Sequence, residues 1–213
     1  MPLEVSETFF SILGESTLTG LPAFFIRLTG CNLRCRYCDT VYAYEGGRLM
    51  PAQALVDAAL AHQPHHVLVT GGEPLLQAET PALLTALADA GLKVLLETNG
   101  SLPVQDVDGR VRRILDVKCP GSGMGERMHW ANLAALTGRD EVKFVISGPK
   151  DFDWALEVIK RYNLAERFPV LISPVFGIVS PQEAVRWILA SGLPLRLNVQ
   201  LHKYIWGPEV RGV

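Results

Sequence analysis

The feature that most constrains this chain is an alternation of two kinds of apolar run. AFFIRL (23–28), HHVLVT (65–70), LKVLLET (92–98), VRRILDVK (111–118), EVKFVIS (141–147), FPVLIS (168–173) and LPLRLNV (193–199) have the length and residue types of strands. Between them, PAQALVDAALAHQ (51–63), TPALLTALADAG (80–91), DFDWALEVIKRYN (151–163) and SPQEAVRWILASG (180–192) are apolar at helical spacing, and NLAALTG (132–138) reads as the end of a helix. The helix ends are marked. Pro51 suits a first turn. Thr80 caps ahead of Pro81, and Gly91 is a stop. Ser180 caps, Pro181 follows, and Glu183 closes a capping box. Strands apolar on both faces must be covered on both faces, and strands alternating with helices make parallel βα units. Eight such units would need roughly 250 residues, and the chain has 213. The expected fold is α/β: a partial, open parallel βα barrel of about six units, in a single domain over residues 1–213.

In such folds chemistry gathers at the carboxyl ends of the strands. The unusual segments lie there: CNLRC after the first apolar strand, TGGEP (70–74) after the second, ETNG (97–100) after the third and DVKCPGSGM (116–124) after the fourth. The balance of charge narrows the partners. A net charge of −2 and a pI near 6.2 imply no basic face for nucleic acid. No apolar run reaches the roughly 18 residues of a membrane span, and MPLEVSETFF lacks the basic and apolar regions of a signal peptide. A cytoplasmic protein with no membrane partner is expected.

Three of the four cysteines fall within ten residues, CNLRCRYCDT (31–40). In a reducing compartment such a cluster points to metal or redox chemistry rather than a disulfide framework. A structural zinc site would want a closed tetrahedron, with a fourth ligand from Cys119 or a histidine. Zinc sites usually assemble from two close pairs, and no second pair exists here. Three unligated cysteines in a loop would be exposed and oxidisable. Thiolates also hold iron–sulfur clusters, and a cubane held by three cysteines leaves one iron free to take a small molecule.

Cys31, Cys35 and Cys38 at that spacing, with Tyr37 before the last cysteine and a first strand ahead, resemble the radical S-adenosylmethionine enzymes. In those enzymes the open iron of a [4Fe-4S] cluster binds S-adenosyl-L-methionine, which is cleaved to a 5′-deoxyadenosyl radical. TGGEP matches their glycine-rich segment, where glycines let the backbone come close to a ligand. The stretch SETFFSILGESTLTGLPAFFIRLTGCNLRCRYCDT, with TGGEP, ETNG, DVKCPGSG and LQLHKYIWGP, resembles the 7-carboxy-7-deazaguanine synthase family over essentially the whole chain.

That resemblance implies a ring contraction of 6-carboxy-5,6,7,8-tetrahydropterin with loss of ammonia, in queuosine and 7-deazapurine biosynthesis. It implies magnesium (Mg2+) as a third cofactor, a homodimer, and an electron donor such as flavodoxin or ferredoxin. Carried over by position, Cys31, Cys35 and Cys38 hold the cluster, and Thr40 offers a hard oxygen to magnesium. Tyr37, Cys38, Asp39 and Gly72 line the adenosylmethionine site. Asp116, Val117, Lys118, Ser173, Pro174, Val175 and Phe176 meet its adenosine part. Arg27 grips the substrate carboxylate. Glu15, with the backbone of Leu13 and Gly14, reads the amino-pyrimidinone edge, Thr70 touches substrate, and the carboxylate of Val213 helps bind it. The family commonly has glutamine where this chain has Leu13. Taken without the resemblance, Arg27 is a solvated edge-strand arginine, Thr40 a helix cap or a turn hydroxyl, Cys119 and the Trp154 and Trp187 helices core, and His202 either functional or a packed, hydrogen-bonded ring. A glycyl-radical activating enzyme with the same triad, and a zinc-stabilised binding module, are the competing readings.

Overall fold

The computed structural model describes residues 1–213. Nine strands form one sheet. They are β1 (Leu3–Ile12), β2 (Pro22–Leu28), β3 (Arg48–Met50), β4 (His66–Gly71), β5 (Lys93–Thr98), β6 (Arg112–Lys118), β7 (Glu141–Ile146), β8 (Val170–Pro174) and β9 (Leu195–Leu197). Seven helices accompany them: α1 (Ala52–Ala61), α2 (Thr80–Asp89), α3 (Asn132–Ala135), α4 (Pro149–Arg161), α5 (Leu164–Arg167), α6 (Pro181–Ser191) and α7 (Leu201–Ile205). The order is β3-β1-β2-β4-β5-β6-β7-β8-β9, parallel from β2 to β9, with β1 and β3 antiparallel at one edge. The two edge strands do not pair with each other, so the expected open barrel is the fold.

Side chains alternate across each strand. On the convex side, Phe24 and Ile26, Val67 and Val69, Val94 and Leu96, Leu115 and Val117, Phe144, and Val170 and Ile172 join one large core beneath the helices. Each such side chain, fully buried, contributes about 1.5–3 kcal/mol. On the concave side, Leu13, Ala23, Phe25, Leu68, Leu95 and Ile114 make a small second core. Above this apolar layer, towards the carboxyl ends, the inward positions turn polar. Arg27 sits beside Thr70 and Asp116 beside Lys143 in register.

Several expectations need correction. AFFIRL is the second strand; β1 precedes it. β1 is only half buried and carries polar residues, so it lacks the solid apolar run of a parallel strand. The run 193–199 pairs only over Leu195–Leu197, and the helix sought at 132–138 is the four-residue α3. α4 starts two residues early, at Pro149. Asp151 thereby falls inside the helix and accepts from the N–H groups of Gly121 (2.7 Å) and Ser147 (2.9 Å). Thr80 is the first helical residue rather than the cap, and its hydroxyl donates to the Pro74 carbonyl at 2.6 Å. The capping box of Ser180 and Glu183 forms as expected. No helix is long and apolar enough to cross a membrane.

Candidate active site

A cavity of about 750 Å³ opens at the carboxyl ends of the strands. It is bordered by the cysteine loop, the polar inward layer, α7 and the chain's last residues. Cys31, Cys35 and Cys38 are free, half-buried and border it together. Local hydrogen bonds hold the loop backbone: Gly30 N–H to the Ala43 carbonyl (2.8 Å), Glu73 N–H to the Gly30 carbonyl (2.7 Å) and Arg36 N–H to the Ser122 carbonyl (3.0 Å). Burial raises the Cys31 and Cys35 thiols above their ordinary range. This soft donor set fits an iron–sulfur cluster, whose cysteines each serve a different iron. A mononuclear zinc site needs donors converging on one point, and no three His, Cys, Asp or Glu side chains do so. Cys119 lies in the convex core, not at the cavity.

TGGEP laces onto this loop, and its glycines have a nearer cause than a ligand. A Cβ on Gly72 would lie 2.1 Å from the Gly30 carbonyl oxygen, and one on Gly71 would lie 2.2 Å from that of Leu28. Only glycine lets these two turns pack. Glu73 is fully buried and accepts from the Thr98 hydroxyl (2.9 Å) and from the Asn99 (2.7 Å) and Leu75 (3.0 Å) N–H groups. It ties TGGEP to ETNG. Asn99 in turn points its amide nitrogen at the Cys31 sulfur, 3.8 Å away.

Asp39 leaves the loop towards the C-terminal segment. Its carboxylate accepts from Gln200 Nε2 (2.8 Å) and Lys203 Nζ (2.5 Å). The side chain keeps 42% of its exposure, so the desolvation that would raise this carboxyl is partial, and Lys203 holds the group well below its usual range. The Thr40 hydroxyl donates to Asp39 Oδ1 at 3.0 Å and caps nothing. The Tyr37 hydroxyl donates to the Val145 carbonyl at 3.0 Å. Neither Gln200 nor Lys203 was legible as a site residue. They lie more than 160 positions from Asp39, and only folding joins them.

On the β1–β2 side, Arg27 Nε donates to Glu7 Oε1 at 2.7 Å, and the Tyr42 hydroxyl donates to the same oxygen at 2.9 Å. Burial pushes Tyr42 up to about 12, against the pull of Arg27, so its proton stays on to donate. The guanidinium is thus fixed through Nε alone. The tail reaches this corner. Arg211 stacks over the Tyr42 ring at 3.9 Å, and Val213 borders the cavity. Gly14 is held against His202, since a Cβ there would meet the ring nitrogen at 2.0 Å. Burial lowers the His202 pKa, outweighing nearby Glu15, so the ring is neutral near neutrality.

Across the floor, Lys143 Nζ donates to Glu15 (2.9 Å) and to Glu97. Lys118 Nζ donates to Asp116 Oδ2 at 2.8 Å. Burial alone would raise the Asp116 carboxyl, but Lys118 and then Lys143 hold it low. Its other oxygen, Oδ1, is buried at the cavity edge without a partner. That orphan acceptor fits a ligand hydroxyl such as those of a ribose. Asn198 bridges Glu15 Oε2 (3.3 Å) and Ser173 Oγ (2.7 Å). Ser173, Pro174, Val175 and Phe176 all border the cavity, as do Thr70, Gly72, Asp116 and Lys118.

Two anticipated residues do not reach it with their side chains. Val117 faces the convex core, because the positions either side of it face inward. Leu13 is buried in the small concave core, and its N–H and C=O are already paired with Leu21 and Gly20 at 2.8 Å. The side chains missed by sequence reading are Glu7, Glu97, Lys143, Asn198, Gln200 and Lys203. The available signal for two of them was a charge set into an apolar run, Glu97 after Val94–Leu96 in β5 and Lys143 between Val142 and Phe144 in β7.

A family model described as the radical SAM superfamily matches residues 25–188. A curated 7-carboxy-7-deazaguanine synthase of Chlorobaculum tepidum is 45% identical over 100% of this chain and 98% of its own length. That of Koribacter versatilis is 40% identical over 99% of this chain and 100% of its own. Among solved structures, QueE from Escherichia coli superposes with a TM-score of 0.78 at 21% identity, covering 93% of this chain and 94% of that one.

Proposed function

The chain belongs to the radical S-adenosylmethionine superfamily and, within it, to the 7-carboxy-7-deazaguanine synthases, and from that premise we propose how its cavity works. The activity is that of a radical lyase forming 7-carboxy-7-deazaguanine by ring contraction, with a [4Fe-4S] cluster and S-adenosyl-L-methionine as cofactors. The zinc-module reading falls with the family.

The observation that carries the site reading is the gathering of the Cys31, Cys35 and Cys38 thiols, Arg27 and Glu15 around one cavity. The cysteines hold the cluster. When bound, cluster and adenosylmethionine would supply the radical chemistry that starts the ring contraction. The substrate is 6-carboxy-5,6,7,8-tetrahydropterin. Arg27, anchored by Nε to Glu7, turns its remaining N–H groups to the substrate carboxylate. Glu15 accepts from the amino-pyrimidinone edge. Tyr37, Asp39, Gly72 and Ser173 to Phe176 surround the cofactor, and Asp116 Oδ1 accepts from a ribose hydroxyl. Val117 contributes through its backbone. Leu13, lacking a free N–H, shapes the β1–β2 turn that presents Gly14 and Glu15. Thr40 binds magnesium, Thr70 touches the pterin, and the Val213 carboxylate closes over it. A flavodoxin or ferredoxin supplies the electron, and the enzyme is a homodimer.

The test is an anaerobic assay of the iron-reconstituted, brown protein with carboxytetrahydropterin, adenosylmethionine and a reductant. Deazaguanine product is expected. Adenosylmethionine cleavage without it would return the reading to a glycyl-radical activating enzyme.

A further inference from the structure

Lys143 lies midway along β7 with its side chain on the concave face, 5% exposed. Its ammonium meets carboxylates from three other parts of the chain. These are Glu15 in the β1–β2 connection (2.9 Å), Glu97 near the end of β5, and Asp116 on β6 (3.4 Å). A buried ammonium is costly unless paired, and an apolar side chain would pack this position at no such cost. Phe25, Leu68, Leu95 and Ile114 do so one layer below. The lysine therefore answers to the carboxylates. Asp116 already has Lys118. Glu15 and Glu97 have no other cation within salt-bridge distance, and both border the cavity.

We propose that Lys143 is a positioning residue for substrate: it holds Glu15 and Glu97 side by side as a pair of hydrogen-bond acceptors for the donor-bearing edge of the pterin. The proposal rests on the pterin reading above. Two carboxylates brought this close would otherwise repel and swing apart. Held together, they face the ligand's amino and ring N–H groups as acceptors. Lys143 itself stays charged at any working pH. Burial would lower its pKa, but Glu15, Glu97 and Asp116 raise it well above the ordinary lysine value. The other groups facing this cluster are Lys118 and Asp116 on β6, Thr70 on β4, Asn198 after β9, Arg27 on β2 and His202 on α7. Arg27 is committed to Glu7 and His202 is neutral, so neither replaces the ammonium.

The experiment follows kcat and KM for the pterin in the reconstituted enzyme, comparing wild type, Lys143→Met and Lys143→Met/Glu97→Gln. Cluster absorbance and thermal midpoint serve as checks on the fold. Lys143→Met is expected to raise KM by about tenfold or more, with a smaller change in kcat. In the double variant the two carboxylates no longer repel and the amide oxygen at position 97 still accepts, so KM should fall back towards wild type. A cluster-loaded Lys143→Met enzyme with an unchanged KM, or one whose kcat falls while KM stays, overturns the proposal. If Lys143→Met does not hold its cluster, Lys143→Gln takes its place with the same two outcomes. Absence of product from wild type would sink the deazaguanine reading and the clamp with it, whereas an active wild type with unmoved variants sinks the clamp alone.

Discussion

The cysteine loop and the charged floor face each other across one cavity, and they are built in opposite ways. In the loop the backbone is held and the reactive side chains are not. Gly30, Arg36 and Glu73 fix the turns by main-chain hydrogen bonds, while the sulfurs meet just three donors: the Leu33 N–H (3.4 Å) and the Asn99 amide (3.8 Å) at Cys31, and the Tyr44 hydroxyl at Cys38. In the floor the side chains settle with one another. Glu15, Glu97, Asp116, Lys118 and Lys143 form a connected set before any ligand enters. Removing a loop thiol should therefore cost chemistry and little stability, and removing a floor charge should cost both.

The largest expected effect is Cys35→Ala. Cluster assembly and activity should be lost, while the cluster-free chain changes in stability by less than about 1 kcal/mol, because a half-buried thiol without hydrogen bonds leaves. Iron analysis and thermal melts check this, and a loaded, active variant would break the contrast. Lys118→Met comes next. Leaving Asp116 with one cation instead of two should cost about 3 kcal/mol, read by denaturant unfolding. The sign with pH follows from the depressed Asp116 carboxyl. Its contribution is complete above about pH 4, the ordinary carboxyl value, and is lost as pH falls through the lower folded value. In the variant that loss should begin at higher pH, so acid unfolding shifts upward. An unchanged acid midpoint would show that the floor is not the coupled set described.

Glu7→Gln probes the border between the two regions. It removes the charge that fixes Arg27 and accepts from Tyr42. KM for the carboxylated pterin should rise about tenfold, the worth of one charge-assisted hydrogen bond, with cluster content unchanged. Equal affinity in a titration would detach Glu7 from the carboxylate grip. The smallest effect is assigned to Thr40→Ala, which should raise the magnesium concentration for half-maximal activity about threefold, since magnesium keeps most of its ligands from water and substrate. An identical metal response would remove Thr40 from that role.

Much of this molecule was legible before folding. Two-faced apolar strands announce a parallel sheet, and Ser180 with Glu183 announces a helix start, because each signal lies within a few residues. Cys31, Cys35 and Cys38 are equally local. β1 was not legible, since a half-buried antiparallel strand mixes polar and apolar residues. The glycines of TGGEP were correctly marked as special, but their immediate reason is the close pass of the 28–31 backbone.

Local sequence settled the order of βα units, the three thiols and the turn that carries them, because strand, helix and ligand spacing are short-range properties of the chain. Which cation neutralises which carboxylate was a matter for folding. Lys143 and Glu15 are 128 residues apart, and Lys203 and Asp39 are 164 apart. Charges at such separations carry no mark of each other until the open barrel brings them to one cavity. On its floor, burial makes every unpaired ion costly enough to fix the pairing.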